Sequence, residues 1–218
     1  MSAPAFEPTP NQSQSNPNLG PALSSLLSRN EAFSSNIAKD KPDLLAAISK
    51  GQAPKVFWIG CADSRMPEGT ICQTDPGEIF TVRNIANQWN ENDDSANAAL
   101  TFAIEALGVE EVVVVGHTSC GGVSAAIDAA LAGASAGTPT TALQRYLVPL
   151  AQLAGELIKN GTVAADAPKA EFARKLTTAN VLKQVENLRN SEVIQRNWKT
   201  GESTLVKGRM CNKVRLHG

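Results

Sequence analysis

Two stretches of this chain share one pattern, and that pattern restricts the fold more than any other feature. Val56-Phe57-Trp58-Ile59-Gly60 runs into Cys61, and Val112-Val113-Val114-Val115-Gly116 runs into His117, followed by Thr118-Ser119-Cys120-Gly121-Gly122. Each is a short β-branched or aromatic run closed by glycine, as expected of a strand buried on both faces of a parallel sheet. Between them, Asp93-Asp94-Ser95 can cap a helix. Its Ala96, Ala99, Leu100, Ala103, Ile104 and Leu107 recur at helical spacing, and Gly108 ends it. The strand expected over Glu78–Val82, this helix and the valine strand, in that order, imply a right-handed parallel crossover. The fold class is α/β, with a central, mainly parallel sheet flanked by helices.

The rest of the chain arranges itself around that unit. Residues 1–20, rich in Pro, Asn, Ser and Gln, read as a disordered or loosely draped tail. Residues 21–50 read as a helical arm: Leu23, Leu26, Leu27, Phe33 and Ile37 fall at helical spacing, and Pro42-Asp43-Leu44-Leu45 opens a second helix. The apolar stripe of such an arm must be buried, on its own domain or on a second subunit. Residues 51–218 read as one domain. Within it, Glu78–Val82 is expected as a strand after the Pro76-Gly77 turn. Helices are expected over Gly121–Ala132, Leu143–Ile158 and Asp166–Asn190, the last broken near Thr177-Thr178. Ser191 is expected to cap a short helix to Trp198, and Thr204–Lys207 to form a final strand.

Open α/β sheets place their sites at the carboxyl ends of the strands, where Cys61, His117 and Cys120 converge if the two strands are neighbours. Taken singly, each reads as a buried cysteine or a strand-end polar residue. Together, two thiolate sulfurs and one imidazole suit a zinc tetrahedron with its fourth position left for chemistry, one Zn²⁺ per chain. With His117 and His217 the only histidines, a three-histidine site within one chain is excluded. Gly121-Gly122 lets backbone approach closely, and the start of the following helix favours the Cys120 thiolate. Two readings stay open for Asp63 and Arg65. They form a surface ion pair, or Asp63 sits beside the metal, as fourth ligand or as acceptor, with Arg65 orienting it.

Composition narrows the setting. Four cysteines (Cys61, Cys72, Cys120, Cys211) in a chain of 218 residues point to metal or catalytic use in a reducing compartment rather than to disulfide staples. Cys72 reads as an ordinary buried thiol. With no signal peptide, and no Lys or Arg before Arg29, the expected location is the cytoplasm. A net charge of −1 gives no reason to expect nucleic acid or an anionic membrane as partner. No apolar run approaches the roughly 20 residues that cross a bilayer.

Cys61-x-Asp63-x-Arg65 together with His117-x-x-Cys120-Gly121-Gly122 resembles the β-class carbonic anhydrases. So do Pro76-Gly77-Glu78, Arg83-Asn84-Ile85-Ala86-Asn87 and Val185-Glu186-Asn187-Leu188-Arg189, and the resemblance covers residues 20 to 208 or so. It implies zinc-dependent, reversible hydration of CO₂ to bicarbonate and a proton by attack of zinc-bound hydroxide. It also implies homodimers or homotetramers built through exchanged N-terminal helices. By the same resemblance Asp63 aims the hydroxide, Arg65 holds Asp63, and the Gly121 N–H meets a substrate oxygen. In some members the aspartate becomes a fourth zinc ligand in a closed form, and bicarbonate occupies a nearby inhibitory pocket. Trp58 and Arg83 match two of that pocket's three positions. The third, a tyrosine in the family, falls on Cys211 within Gly208-Arg209-Met210-Cys211-Asn212, and Arg209 stands where the family has a large apolar residue. These departures bear on the pocket and on the terminal strand. Asp75 stands where many plant-type relatives carry glutamine.

Rival readings are hydrolysis of a CO₂ analogue such as carbon disulfide by the same group, and a catalytically weak zinc-binding or regulatory relative. A thiol enzyme using Cys120 and His117 would keep its activity in a chelator. No G-x-G-x-x-G follows either strand, which disfavours dinucleotide binding.

Overall fold

The runs that end in Cys61 and His117 become adjacent central strands. The computed structural model describes residues 20–201 and 204–211. The tail expected over residues 1–20 lies outside them except for Gly20, as do Asn212 and His217. The chain divides into two units, Met1–Gly51 and Gln52–Gly218. In the first, helices α1 (Pro21–Asp40) and α2 (Pro42–Ile48) each open on a proline, whose missing N–H costs nothing in a first turn. Neither helix contains a buried residue, and Leu23, Leu26, Leu27 and Phe33 are exposed.

In the second unit, β1 (Val56–Cys61), β2 (Ile79–Asn84), β3 (Glu111–His117) and β4 (Leu205–Cys211) pair in parallel in the order β2-β1-β3-β4. Phe57 lies opposite Val112, Ile59 opposite Val114, and Val206 on the other side of Val112. These five residues face helices α4 (Asp94–Thr101) and α7 (Lys169–Asn190), where Leu100, Val181, Val185 and Leu188 complete the core. The crossover from β2 to β3 runs through α4 as expected. The Asp93 carboxylate accepts from the N–H groups of Ser95 and Ala96 at 3.0 and 3.2 Å, supplying the cap. The last turn widens to a π turn over Phe102–Ala106, and Gly108, at φ 64°, reverses the chain into β3.

A second apolar cluster lies beyond the strand ends. Helices α5 (Gly121–Ala132) and α6 (Ala142–Lys159) pack with α7 through Val123, Ile127, Leu147, Leu150, Phe172 and Leu176, and Cys61, Ala86 and Cys120 belong to the same cluster. Thr141 and Gln144 close α6 with a reciprocal capping box.

Four expectations need correction. Helix α7 runs unbroken through Thr177-Thr178, because both hydroxyls donate to carbonyls one turn back, Ala173 at 2.7 Å and Arg174 at 3.0 Å, instead of competing for the helix bonds. Ser191 holds the N-cap position of α8 (Glu192–Lys199) as expected, but its side chain makes no capping bond, because its hydroxyl donates to the Leu188 carbonyl at 2.6 Å. The final strand extends past Lys207 to Cys211. Arg209 does not end it, since Val206 and Gly208 face α7 while Arg209 alternates with Lys207 on the exposed side. Cys72, the last residue of the short helix α3 (Glu68–Cys72), is exposed rather than buried. Gly208 marks the closest approach of sheet and helix: a β-carbon there would stand 2.6 Å from Val181 Cγ1 and 3.1 Å from Val185 Cγ2. Among the described residues no helix is long and apolar enough to cross a membrane.

Candidate metal centre

Parallel pairing brings the carboxyl ends of β1 and β3 side by side, so Cys61 and His117, the last residue of each, meet. Ser119, at φ 58°, turns the chain so that Cys120 precedes α5 and points back to them. The three ligating atoms lie within 4.8 Å of one another, and all three residues are buried. The two sulfurs are 3.8 Å apart. That is the edge of a tetrahedron whose metal–sulfur bonds are about 2.3 Å.

The electrostatics agree with the spacing. His117 Nδ1 lies 2.9 Å from the Thr118 carbonyl, which can only accept, so Nδ1 carries a proton and Nε2 is the nitrogen that faces the thiols. Nε2 is buried and makes no well-formed hydrogen bond. The Cys61 sulfur beside it raises the ring's proton affinity. Cys61 is held as a thiolate by the Cys120 thiol first, then by His117 and by the backbone N–H groups of Asp63 and Ala86, against the opposing effect of burial. Cys120 is pushed up by the Cys61 sulfur and by burial, although the Val123 and Gly122 N–H groups favour its thiolate. Two adjacent buried thiolates repel, and a divalent cation between them lets both ionise. An unpartnered imidazole nitrogen and two soft sulfurs at tetrahedral spacing fit zinc.

Asp63 and Arg65 border this cluster, and both readings of them hold in part. Arg65 Nε donates to Asp63 Oδ1 at 2.9 Å, its Nη2 to Oδ2 at 2.7 Å, and its backbone N–H to Oδ1 at 3.0 Å. The Arg65 hydrogen bonds hold the Asp63 carboxyl well below the usual carboxylate range. Yet the pair is not remote from the ligands: Asp63 Oδ2 is 3.9 Å from His117 Nε2. Arg65 Nη2 also donates to the Ser119 carbonyl at 3.0 Å, tying the loop after β1 to the loop after β3.

Of the two glycines, Gly122 is the one that close packing requires. A β-carbon there would lie 2.8 Å from Ile85 Cγ2 and 3.1 Å from Ala86 Cβ, whereas one at Gly121 meets nothing within 4 Å. Trp58 and Arg83 lie on the same side of the sheet, since Trp58 pairs with Thr81 and Gly60 with Arg83. Arg83 is occupied with the metal loop: its Nε donates to the Cys61 carbonyl at 2.9 Å and its Nη2 to the Asp63 carbonyl at 2.6 Å. Cys211 lies across from His117 on β4, with two strands, β1 and β3, between it and Arg83. At Asp75 the backbone N–H donates to Glu78 Oε1 at 2.6 Å, closing the Pro76-Gly77 turn.

Sequence reasoning passed over three contributors. Ala86, at φ 60°, packs in one apolar cluster with Cys61 and Cys120, and nothing in an alanine announces a left-handed residue. Asn180 and Gln184 are buried on α7 in a row with Phe172, Leu176 and Leu188. That row was the available signal: two amides at fourfold spacing where periodicity asks for apolar side chains.

Comparison with known proteins follows the same line. Residues 56–212 match the sequence profile of the carbonic anhydrase family. The chain is 34% identical over 168 residues to a carbonic anhydrase of Candida albicans, covering 77% of this chain and 57% of that protein. To a carbonic anhydrase of Emericella nidulans it is 30% identical over 173 residues, covering 78% and 71%. It therefore spans little more than half the length of the first of these relatives. Its structure superimposes on the β-carbonic anhydrase CafA of Aspergillus fumigatus with a TM-score of 0.77 at 32% identity, over 88% of this chain and 86% of that one. One of two tetrameric β-carbonic anhydrases of Sordaria macrospora gives 0.77 at 29% identity, over 88% and 93%.

Proposed function

The chain belongs to the β-class carbonic anhydrases, and from that premise we propose that it catalyses the reversible hydration of CO₂ to bicarbonate and a proton. One observation carries the reading: three buried donor atoms of the right chemistry within 4.8 Å of one another. Cys61, His117 and Cys120 hold one zinc per chain. Zinc so bound supplies the acidity that lets water act as a nucleophile near neutral pH, with a pKa of about 7.

The chain's own residues do the rest. Asp63, ionised by Arg65, accepts a hydrogen bond from the attacking oxygen and so aims a lone pair at CO₂. Its low proton affinity suits it to orienting that oxygen and makes it a poor proton carrier. Gly121, in the first turn of α5, has an N–H without an intrahelical partner, which it offers to a substrate oxygen. Arg83 fixes the carbonyls on either side of the metal loop. The proton leaves to buffer and solvent.

We assign the protein to a homodimer or homotetramer, which would bury the apolar residues exposed along α1. A tetrameric relative supports the same reading. The four free cysteines fit a reducing, cytoplasmic setting. The test is stopped-flow CO₂ hydration from about pH 6.5 to 9, with zinc measured on the same sample. Activity rising with pH at one zinc per chain is expected. One zinc per chain with no hydration anywhere in that range would sink the proposal.

A further inference from the structure

The end of β1 and the loop after it carry Cys61 and Asp63, and the last two residues of β2, Arg83 and Asn84, hold that segment from the side. Arg83 Nε donates to the Cys61 carbonyl at 2.9 Å. At the other end of the same peptide, the Ala62 N–H donates to the Asn84 carbonyl at 2.8 Å. A planar peptide held at both ends cannot turn, so the backbone from which Cys61 projects its sulfur is fixed. Arg83 Nη2 donates to the Asp63 carbonyl at 2.6 Å, which also accepts from the Met66 N–H at 3.0 Å. Asp63 is thus held twice, at its carbonyl by Arg83 and at its carboxylate by Arg65.

These bonds leave the guanidinium poorly placed to receive an anion, the part that the family resemblance gives it. Nε and Nη2 are committed to carbonyls. The carboxylate of Glu68, at the start of α3, stands 3.8 Å from Nε with its Oε2 buried, and it repels a second anion. Cys211, at the third position of the bicarbonate pocket, lies beyond β1 and β3.

We propose that Arg83 is a positioning residue for the metal loop and not a bicarbonate receptor: one guanidinium sets the direction of both Cys61 and Asp63. The inference rests on the reading of Cys61 as a zinc ligand and of Asp63 as the group that aims the attacking oxygen. Arginine suits the task, because its planar fork delivers two donors in a fixed geometry and its bonds are charge-assisted. A lysine offers a single point charge on a flexible stem and holds one carbonyl at a time. Arg65 acts on Asp63 and the Ser119 carbonyl alone, whereas loss of Arg83 loosens the Cys61 end as well.

The test uses the full chain with zinc. Arg83→Met keeps the apolar stem and removes the donors. We expect its zinc affinity, from chelator competition, to fall by about 10- to 100-fold. At saturating zinc its kcat for CO₂ hydration falls by about tenfold or more while KM stays within about twofold, since the guanidinium grips the loop and not the substrate. Arg83→Lys moves both readouts in the same direction by less, and it decides the matter if Arg83→Met does not fold. Arg189→Met removes another guanidinium that donates to a backbone carbonyl, that of Val206 at 3.2 Å; it lowers thermal stability and moves neither readout. A folded Arg83→Met (or, failing that, Arg83→Lys) with zinc affinity or kcat within about twofold of the parent overturns the inference alone. So do equal losses in Arg189→Met, and so does an Arg83 variant that escapes inhibition by added bicarbonate at unchanged zinc affinity. A parent chain that binds no zinc or hydrates no CO₂ overturns the inference together with its premise.

Discussion

Replacing Gly208 by alanine should unseat β4 from α7, and the structure gives the size of the effect. The added β-carbon would stand 2.6 Å from Val181 Cγ1, 3.1 Å from Val185 Cγ2 and 3.8 Å from the Val181 carbonyl oxygen. Both valines are buried and β-branched, so their methyls cannot swing aside without leaving a rotamer well. Overpacking of this kind costs about 1–3 kcal/mol. Alanine returns about 0.5–1 kcal/mol by losing less backbone freedom than glycine on folding. Subtracting one from the other leaves a loss of between about 0 and 2.5 kcal/mol, centred a little above 1. Val181→Ala deletes the methyl that clashes, and alone it should cost about 2 kcal/mol for lost burial and a cavity. Combined, each change relieves the other, and the double variant should be more stable than the sum of the singles by at least about 1 kcal/mol. Urea denaturation of the four proteins at saturating zinc measures that coupling. Additivity within about 0.5 kcal/mol would refute the close sheet–helix contact.

The remaining expectations are chemical. Tyr146 is the chain's only tyrosine, and its phenol is pushed up to about 12, chiefly by burial and then by the charges of Asp93 and Cys61. A pKa raised above the unfolded value of about 10 gives stability that is complete below pH 10 and lost as pH climbs toward 12, about 1.4 kcal/mol of it by pH 11. Phenolate absorbance should therefore titrate later in the folded than in the unfolded chain, and Tyr146→Phe should abolish that part of the alkaline loss; a folded midpoint near 10 would contradict it. Arg65→Met frees both Asp63 oxygens and unties the Ser119 loop. Stopped-flow assays should show kcat/KM for hydration lowered by about tenfold or more with zinc retained, and an unchanged rate would mean the ion pair is only structural. Dialysis against a strong chelator should abolish hydration, with zinc restoring it at one equivalent per chain. Activity that survives would favour thiol chemistry instead.

Much of this architecture was legible in the sequence because buried parallel strands announce themselves. The runs ending in Cys61 and His117 have few alternatives to being strands, and the capped helix between the Glu78–Val82 strand and the valine run makes a parallel crossover the default. Once they are neighbours, Cys61, His117 and Cys120 gather where open α/β sheets place their loops. What escaped was of a different kind. The full length of β4 was hidden because Arg209 breaks an apolar expectation without breaking a strand, its side chain lying on the exposed face. The unbroken α7 was hidden because threonine weakens helices in isolation but bonds its own previous turn here. The left-handed Ala86 leaves no trace in a propensity, and its supports, Asn180 and Gln184, become meaningful only when α7 is seen against the turn. Arg83 likewise declares a charge in the sequence and a backbone clamp only in the fold.

If Cys61 and Cys120 hold zinc as proposed, their spacing along the chain has a consequence for how the protein survives heat. Cys61 and Cys120 are 59 residues apart, and all of β2 and the α4 crossover lies between them. An ion gripped by both is a tether across that loop, much as a disulfide would be. A covalent link closing a loop of this length removes denatured-chain entropy worth about 4 kcal/mol at 25 °C. Departure of the metal and loss of the fold then become linked events: melting temperature should rise with free zinc, and the ion should leave slowly because the sheet must open to release it.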